Sequence, residues 1–91
     1  MNMINKEKII ELVNKYDDCV IEEIFENHKV MNNWCIITCD LEEIEEDVMI
    51  GGIFDLLDDL EKFDNITNLD DETFEDDDGG YYEYVSFEWT L

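Results

Sequence analysis

Tyr81-Tyr82-Glu83-Tyr84-Val85-Ser86-Phe87-Glu88-Trp89-Thr90-Leu91 is the stretch whose reading decides the fold. Val85, Phe87, Trp89 and Leu91 fall on one face, and Tyr82, Tyr84, Ser86, Glu88 and Thr90 on the other. That period of two is the pattern of a half-buried strand. A second strong strand reads in Trp34-Cys35-Ile36-Ile37-Thr38-Cys39, which is apolar and rich in β-formers.

Residues 19–30 admit two readings. Ile21, Ile24, Phe25 and His28 fit one face of a helix, whereas Cys19, Val20, Ile21, Ile24 and Phe25 also make a β-favouring cluster. Asn27 and Asn32-Asn33 supply turn chemistry beyond it. The strand reading is favoured, because a hairpin closing around His28 to Asn33 gives the Trp34 strand a partner.

Two helices complete the pattern. Asn5 is placed to cap the first, with Ile9, Leu12, Val13 and Tyr16 at the spacing of one buried face. Residues 45–63 read as the second, with Met49, Ile53, Leu56, Leu57 and Leu60 as its inner stripe. Glu45, Glu46 and Asp47 then sit in the first turn, where the helix dipole favours anions. Gly51-Gly52 interrupts this helix at about 1 kcal/mol per glycine. The alternative is a helix that begins only after Gly52, with Val48 to Ile50 extended.

Residues 65–80 are expected to form a long acidic connection, disorder-leaning and anchored by Ile66, Leu69 and Phe74, with a short helix near Asn68. The resulting expectation is a single domain over residues 1–91 of α+β class. Its order is αββαβ, with an antiparallel three-stranded sheet packed against two helices.

Composition supports a folded chain. Of 91 residues, 45% are hydrophobic and 12% aromatic, too many for a chain that never packs. No apolar run reaches the length of a membrane span, and Met1-Asn2-Met3-Ile4-Asn5-Lys6 lacks a signal peptide's apolar core. The expected location is therefore the cytoplasm. Cys19, Cys35 and Cys39, an odd number without an export signal, are expected as reduced thiols serving as small core hydrophobes.

The charge is what the chain must accommodate. There are 27 acidic residues against five basic ones, for a net charge of −22. Residues 40–78 hold eighteen of the acids and a single base, Lys62. Asp70-Asp71-Glu72-Thr73-Phe74-Glu75-Asp76-Asp77-Asp78 is the densest part. With no arginine, the chain cannot assemble a phosphate-neutralising patch, which argues against direct nucleic-acid binding and against an anionic membrane.

Metal and catalytic readings find little support. An EF-hand loop needs glycine at its sixth position. Placing Gly79 there puts Phe74 first, and placing Gly80 there puts Gly79 fifth and Ser86 twelfth, so both registers fail. Only weak divalent binding to the acidic cluster remains. Cys35 and Cys39 lie about 13 Å apart along a strand, too far for one zinc ion, and His28 reads as a loop or core residue. No phosphate loop, nucleophile elbow or Cys-His pairing is present. The expectation is a non-enzyme without cofactor.

In size and charge the chain resembles the acidic DNA-mimic inhibitors of phages and mobile elements, among them anti-CRISPR, anti-restriction and uracil-DNA glycosylase inhibitor proteins. The resemblance implies an inhibitor that occupies the basic DNA-binding cleft of a host nuclease or CRISPR effector. Asp70, Asp71, Glu72, Glu75, Asp76, Asp77 and Asp78, with Asp55, Asp58 and Asp59, would stand in for phosphates. Tyr82 and Tyr84 are candidate anchors. The alternative is an immunity or antitoxin protein that plugs the cleft of a basic toxin, with Tyr82, Tyr84 or Trp34 as its buried anchor.

Overall fold

The computed structural model describes residues 2–27, 29 and 33–91. In chain order they form α1 (Lys6–Val13), β1 (Cys19–Phe25), β2 (Asn33–Glu45), β3 (Val48–Ile50), α2 (Gly52–Glu61), β4 (Ile66–Glu75) and β5 (Tyr81–Trp89). The strands make a five-stranded antiparallel sheet in the order β1-β2-β5-β4, with β3 paired to the far end of β2. The fold is thus mostly strand. It is not the three-stranded αββαβ arrangement that the sequence suggests.

The missing strands account for that correction. β4 occupies the stretch expected to be an acidic connection, and no helix forms near Asn68. Asp and Glu are poor strand formers, but pairing with β5 from Ile66↔Trp89 to Glu75↔Tyr81, interrupted between Thr67 and Asp70, holds the segment extended. An edge position leaves the carboxylates in water, and charge on an edge also blocks pairing with other chains. β3 corresponds to the extended alternative for Val48 to Ile50.

α2 begins at Gly52, not at residue 45, and the two glycines show why. Gly52 N donates to Asp18 Oδ2 at 2.9 Å, and a Cβ on Gly52 would stand 2.6 Å from the other Asp18 oxygen. The glycines are therefore the close-packed entry to the helix. Glu45, Glu46 and Asp47 lie instead at the tip of the β2–β3 hairpin, where Asp47 takes a positive φ of 62°.

α1 follows the sequence closely. The Asn5 side chain accepts from Lys8 N, and Ile9, Leu12 and Val13 are buried. These pack with Ile53, Leu56 and Leu60 of α2 against Cys35, Ile37, Val85, Phe87 and Trp89 of the sheet, in one cluster. Leu91, expected on the buried face, is exposed. The closing turn expected at His28 to Asn33 falls largely outside the described residues, as does His28 itself; the strand pairing on either side of it matches the hairpin reading.

Two buried asparagines lock the strand ends. Asn33 Nδ2 donates to Trp89 O at 3.1 Å, while its oxygen accepts from Asn27 N. Asn65 holds Ile4 by two hydrogen bonds and Thr90 by a third, sewing the first residues onto the sheet.

The cysteines depart from the expectation of free thiols. Register places Cys19 opposite Cys39 with Cα atoms 4.1 Å apart, and the two are joined as a disulfide. Parity alone could not reveal this, because the register depends on an irregularity in β1 between Ile21 and Glu23. Cys35 remains a buried thiol, pushed up to about 12 by burial.

Candidate functional site

Strand register brings the acidic segments to one end of an elongated body, 45 by 25 by 21 Å. Leu41 of β2 and Glu75 of β4 flank Tyr81, the first residue of β5. Beyond Leu41, β2 runs on into the hairpin with β3, carrying Glu42, Glu43, Glu45, Glu46 and Asp47. Beyond Glu75 comes the turn of Asp76, Asp77, Asp78 and Gly79. Two acidic hairpin ends therefore share one pole.

Tyr81 reports that convergence. Its phenol is pushed above its ordinary value by the charge of Glu43 first, then by Glu75, then by partial burial and Asp47. Asp18, Asp40, Glu42 and Asp55 border a neighbouring cavity of about 450 Å³. Among the described residues, no group of three or more His, Cys, Asp or Glu is placed to hold a metal ion. Ion pairs among the described residues include Lys8–Glu11 and Lys62–Asp59, and five bases are too few to pair with 27 acids.

The acids expected to stand in for phosphates divide by role. Asp70, Glu72, Glu75, Asp77 and Asp78 are exposed along β4 and its turn. Asp76 is also exposed, but its carboxylate accepts from Asp78 N and Gly80 N, holding a turn in which Gly79 adopts φ +82°. Asp71 is exposed as well and lies beside Glu83. On α2, Asp55 joins the pole and Asp58 is exposed. Asp59 is half-buried, accepting from the Tyr16 hydroxyl at 3.1 Å and pairing with Lys62. Burial raises the Tyr16 pKa, and the Asp59 hydrogen bond adds to it.

Both helices cover the sheet face that carries Cys35, Ile37, Val85 and Phe87. The opposite face, where Trp34, Ile36, Thr38, Tyr82, Tyr84, Ser86 and Glu88 are half-buried, is open. Phe74 stacks on Tyr82 at 5.4 Å and meets Tyr84 edge-on at 6.3 Å. The two candidate tyrosines are thus gathered with a third ring from β4.

Glu83 was hidden by the alternation, because it falls on the inward face and is 3% exposed. Desolvation raises its pKa, the 2.6 Å hydrogen bond from Thr73 Oγ1 opposes that shift, and neighbouring Asp71 adds to it. Of the hairpin acids, Glu45, Glu46 and Asp47 read in the sequence as the first turn of a helix, whereas Glu42 and Glu43 read only as part of a charge run. The chain matches no protein-family model, no curated protein and no solved structure.

Among the described residues, no helix is long and apolar enough to cross a membrane.

Proposed function

We propose that this protein is a DNA-mimic inhibitor of a bacterial nucleic-acid-targeting defence protein, an anti-CRISPR protein in its most specific form. It acts in the cytoplasm of a bacterial cell, without catalysis or cofactor, by occupying the basic DNA-binding cleft of an effector nuclease. The observation that carries this reading is the ordering of the Asp70 to Glu75 acids on an extended edge strand that ends at the acidic pole.

Spacing makes that observation relevant. An antiparallel strand rises about 3.4 Å per residue, and one strand of duplex DNA carries one charge per about 3.4 Å of axis. Side chains alternate faces, so Asp70 and Glu72 share the open face about 6.8 Å apart, at every second charge position of one DNA strand, with Asp71 on the other side. Sheet pairing fixes them, so little ordering entropy is lost when a cleft closes on them. The field of −22 charges accelerates encounter with a cationic cleft.

Competition is the test. A guide-loaded CRISPR effector holding labelled target duplex is titrated with this protein, and the DNA should be displaced with an affinity that falls steeply with salt. A stoichiometric complex that still binds DNA normally would reject the reading. Neutralisation of a basic toxin by such a chain would favour an immunity protein instead.

A further inference from the structure

On the open sheet face lies a cavity of about 310 Å³, bordered by Trp34, Ile36, Asn68, Ser86 and Glu88. Its two chemical poles are held in place. Phe25 stacks against Trp34 at 4.3 Å and 17°, and the Trp34 indole Nε1 donates to Glu23 at 3.0 Å. Glu88, the cross-strand partner of Trp34, accepts from the Asn68 amide. Asn68 sits at the irregularity in β4 with φ 54°, a left-handed conformation that asparagine tolerates. Bulges of this kind re-aim side chains, and here the result is an amide that fixes a carboxylate at the cavity's edge.

We infer that this cavity receives an arginine side chain of the basic protein that the acidic surface engages; the inference rests on the inhibitor reading and names the chemistry of its contact. A guanidinium is planar, stacks on an aromatic face and forks onto a carboxylate. Trp34 offers the ring and Glu88 the carboxylate, while Ile36 offers apolar surface for the methylene stem. An ammonium is a compact point charge without that planar fork. The occupant is cationic because the face is rimmed by Glu23, Asp70, Glu72 and Glu88, so an apolar or anionic group would leave carboxylates desolvated without a counter-charge.

Nona-arginine and nona-lysine peptides, titrated calorimetrically against the full chain, separate this cavity from general charge attraction. Arginine should bind about fivefold tighter and should shift the Trp34 indole resonance in NMR spectra. Glu88→Gln, and separately Trp34→Leu, should reduce that preference below about twofold. Amides at Asp77 and Asp78 should weaken both peptides alike and leave the preference intact. Equal affinity for the two peptides in the unaltered chain would overturn the inference, as would a preference that survives Glu88→Gln. The DNA-displacement assay fails or succeeds independently, so loss of the arginine site and loss of the inhibitor reading are told apart.

Discussion

Glu43 lies beside the phenol of Tyr81, and its charge is the largest influence raising that group's pKa. The two residues belong to different strands. Their proximity ties the β2–β3 hairpin to the start of β5 and brings Glu75 and Asp47 into the same neighbourhood.

Replacing Glu43 with glutamine should return the Tyr81 titration toward 10.0, as read from its ring resonances in an NMR pH titration. Glu75→Gln should do the same to a smaller extent. High salt should mimic both, because these charges are screened over about a Debye length of 10 Å or less. A Tyr81 titration indifferent to all three would separate the two acidic hairpins.

Glu83 gives a pH dependence of opposite sign to the usual carboxylate. Its folded pKa is raised above the ordinary 4.5, so protonated Glu83 is favoured in the folded chain. The associated stability is fully present below pH 4.5 and is lost as pH rises through the folded pKa. Glu83→Gln keeps an acceptor for Thr73 and removes the charge beside Asp71. It should stabilise the protein at pH 7 by about 1 kcal/mol and flatten the dependence of melting temperature on pH above 4.5. Destabilisation by Glu83→Gln at neutral pH would show that the charged form is the one the fold prefers.

The Cys19–Cys39 disulfide closes a loop with a sequence separation of 20. A cross-link of that size constrains the unfolded chain by about 3 kcal/mol. Reduction, or Cys19→Ser with Cys39→Ser, should lower stability to denaturant by roughly that amount. Cys35 is fully buried with its thiol pushed up to about 12. Thiol titration should therefore find no reactive group in the native oxidised protein and one after unfolding. Three reactive thiols after unfolding without reductant would mean that the bridge does not form.

Crowded carboxylates without counter-ions work against the compact state. Raising salt from about 20 mM to about 500 mM should raise the melting temperature by roughly 5 °C. Calorimetry at neutral pH measures this directly. A melting temperature unmoved by salt would mean that the acids do not repel one another in the folded chain.

The helices and the apolar strands were legible because their signals are local. Asn5 caps α1, Ile9, Leu12 and Val13 repeat at helical spacing, and Val85, Phe87 and Trp89 alternate. β4 was not legible, since Asp70, Asp71, Glu72 and Glu75 contradict strand propensity and only pairing with β5 holds them extended. The hairpin acids misled for a related reason. An acidic run before an apolar stripe reads as a helix start, yet the packing of Gly52 against Asp18 and Tyr16 sets the true start later. The exposed acids along β4 stand out by composition alone. The structural roles of Asp59 and Asp76, the place of Asp71 beside Glu83, and the cavity beside Trp34, depend on register that composition does not contain.

Displacement of labelled duplex from a guide-loaded effector, followed by fluorescence anisotropy, tests the account most directly when run with amide variants. Asp70→Asn, Glu72→Gln, Glu75→Gln, Asp77→Asn and Asp78→Asn together remove exposed charge while sparing Asp76, which holds its turn, and Asp71, which lies beside buried Glu83. The unaltered chain should release the DNA, and the five-fold variant, folded by circular dichroism, should need at least about tenfold more protein to do so. DNA that stays bound in the presence of the unaltered chain, or a variant as potent as the parent, would contradict the account.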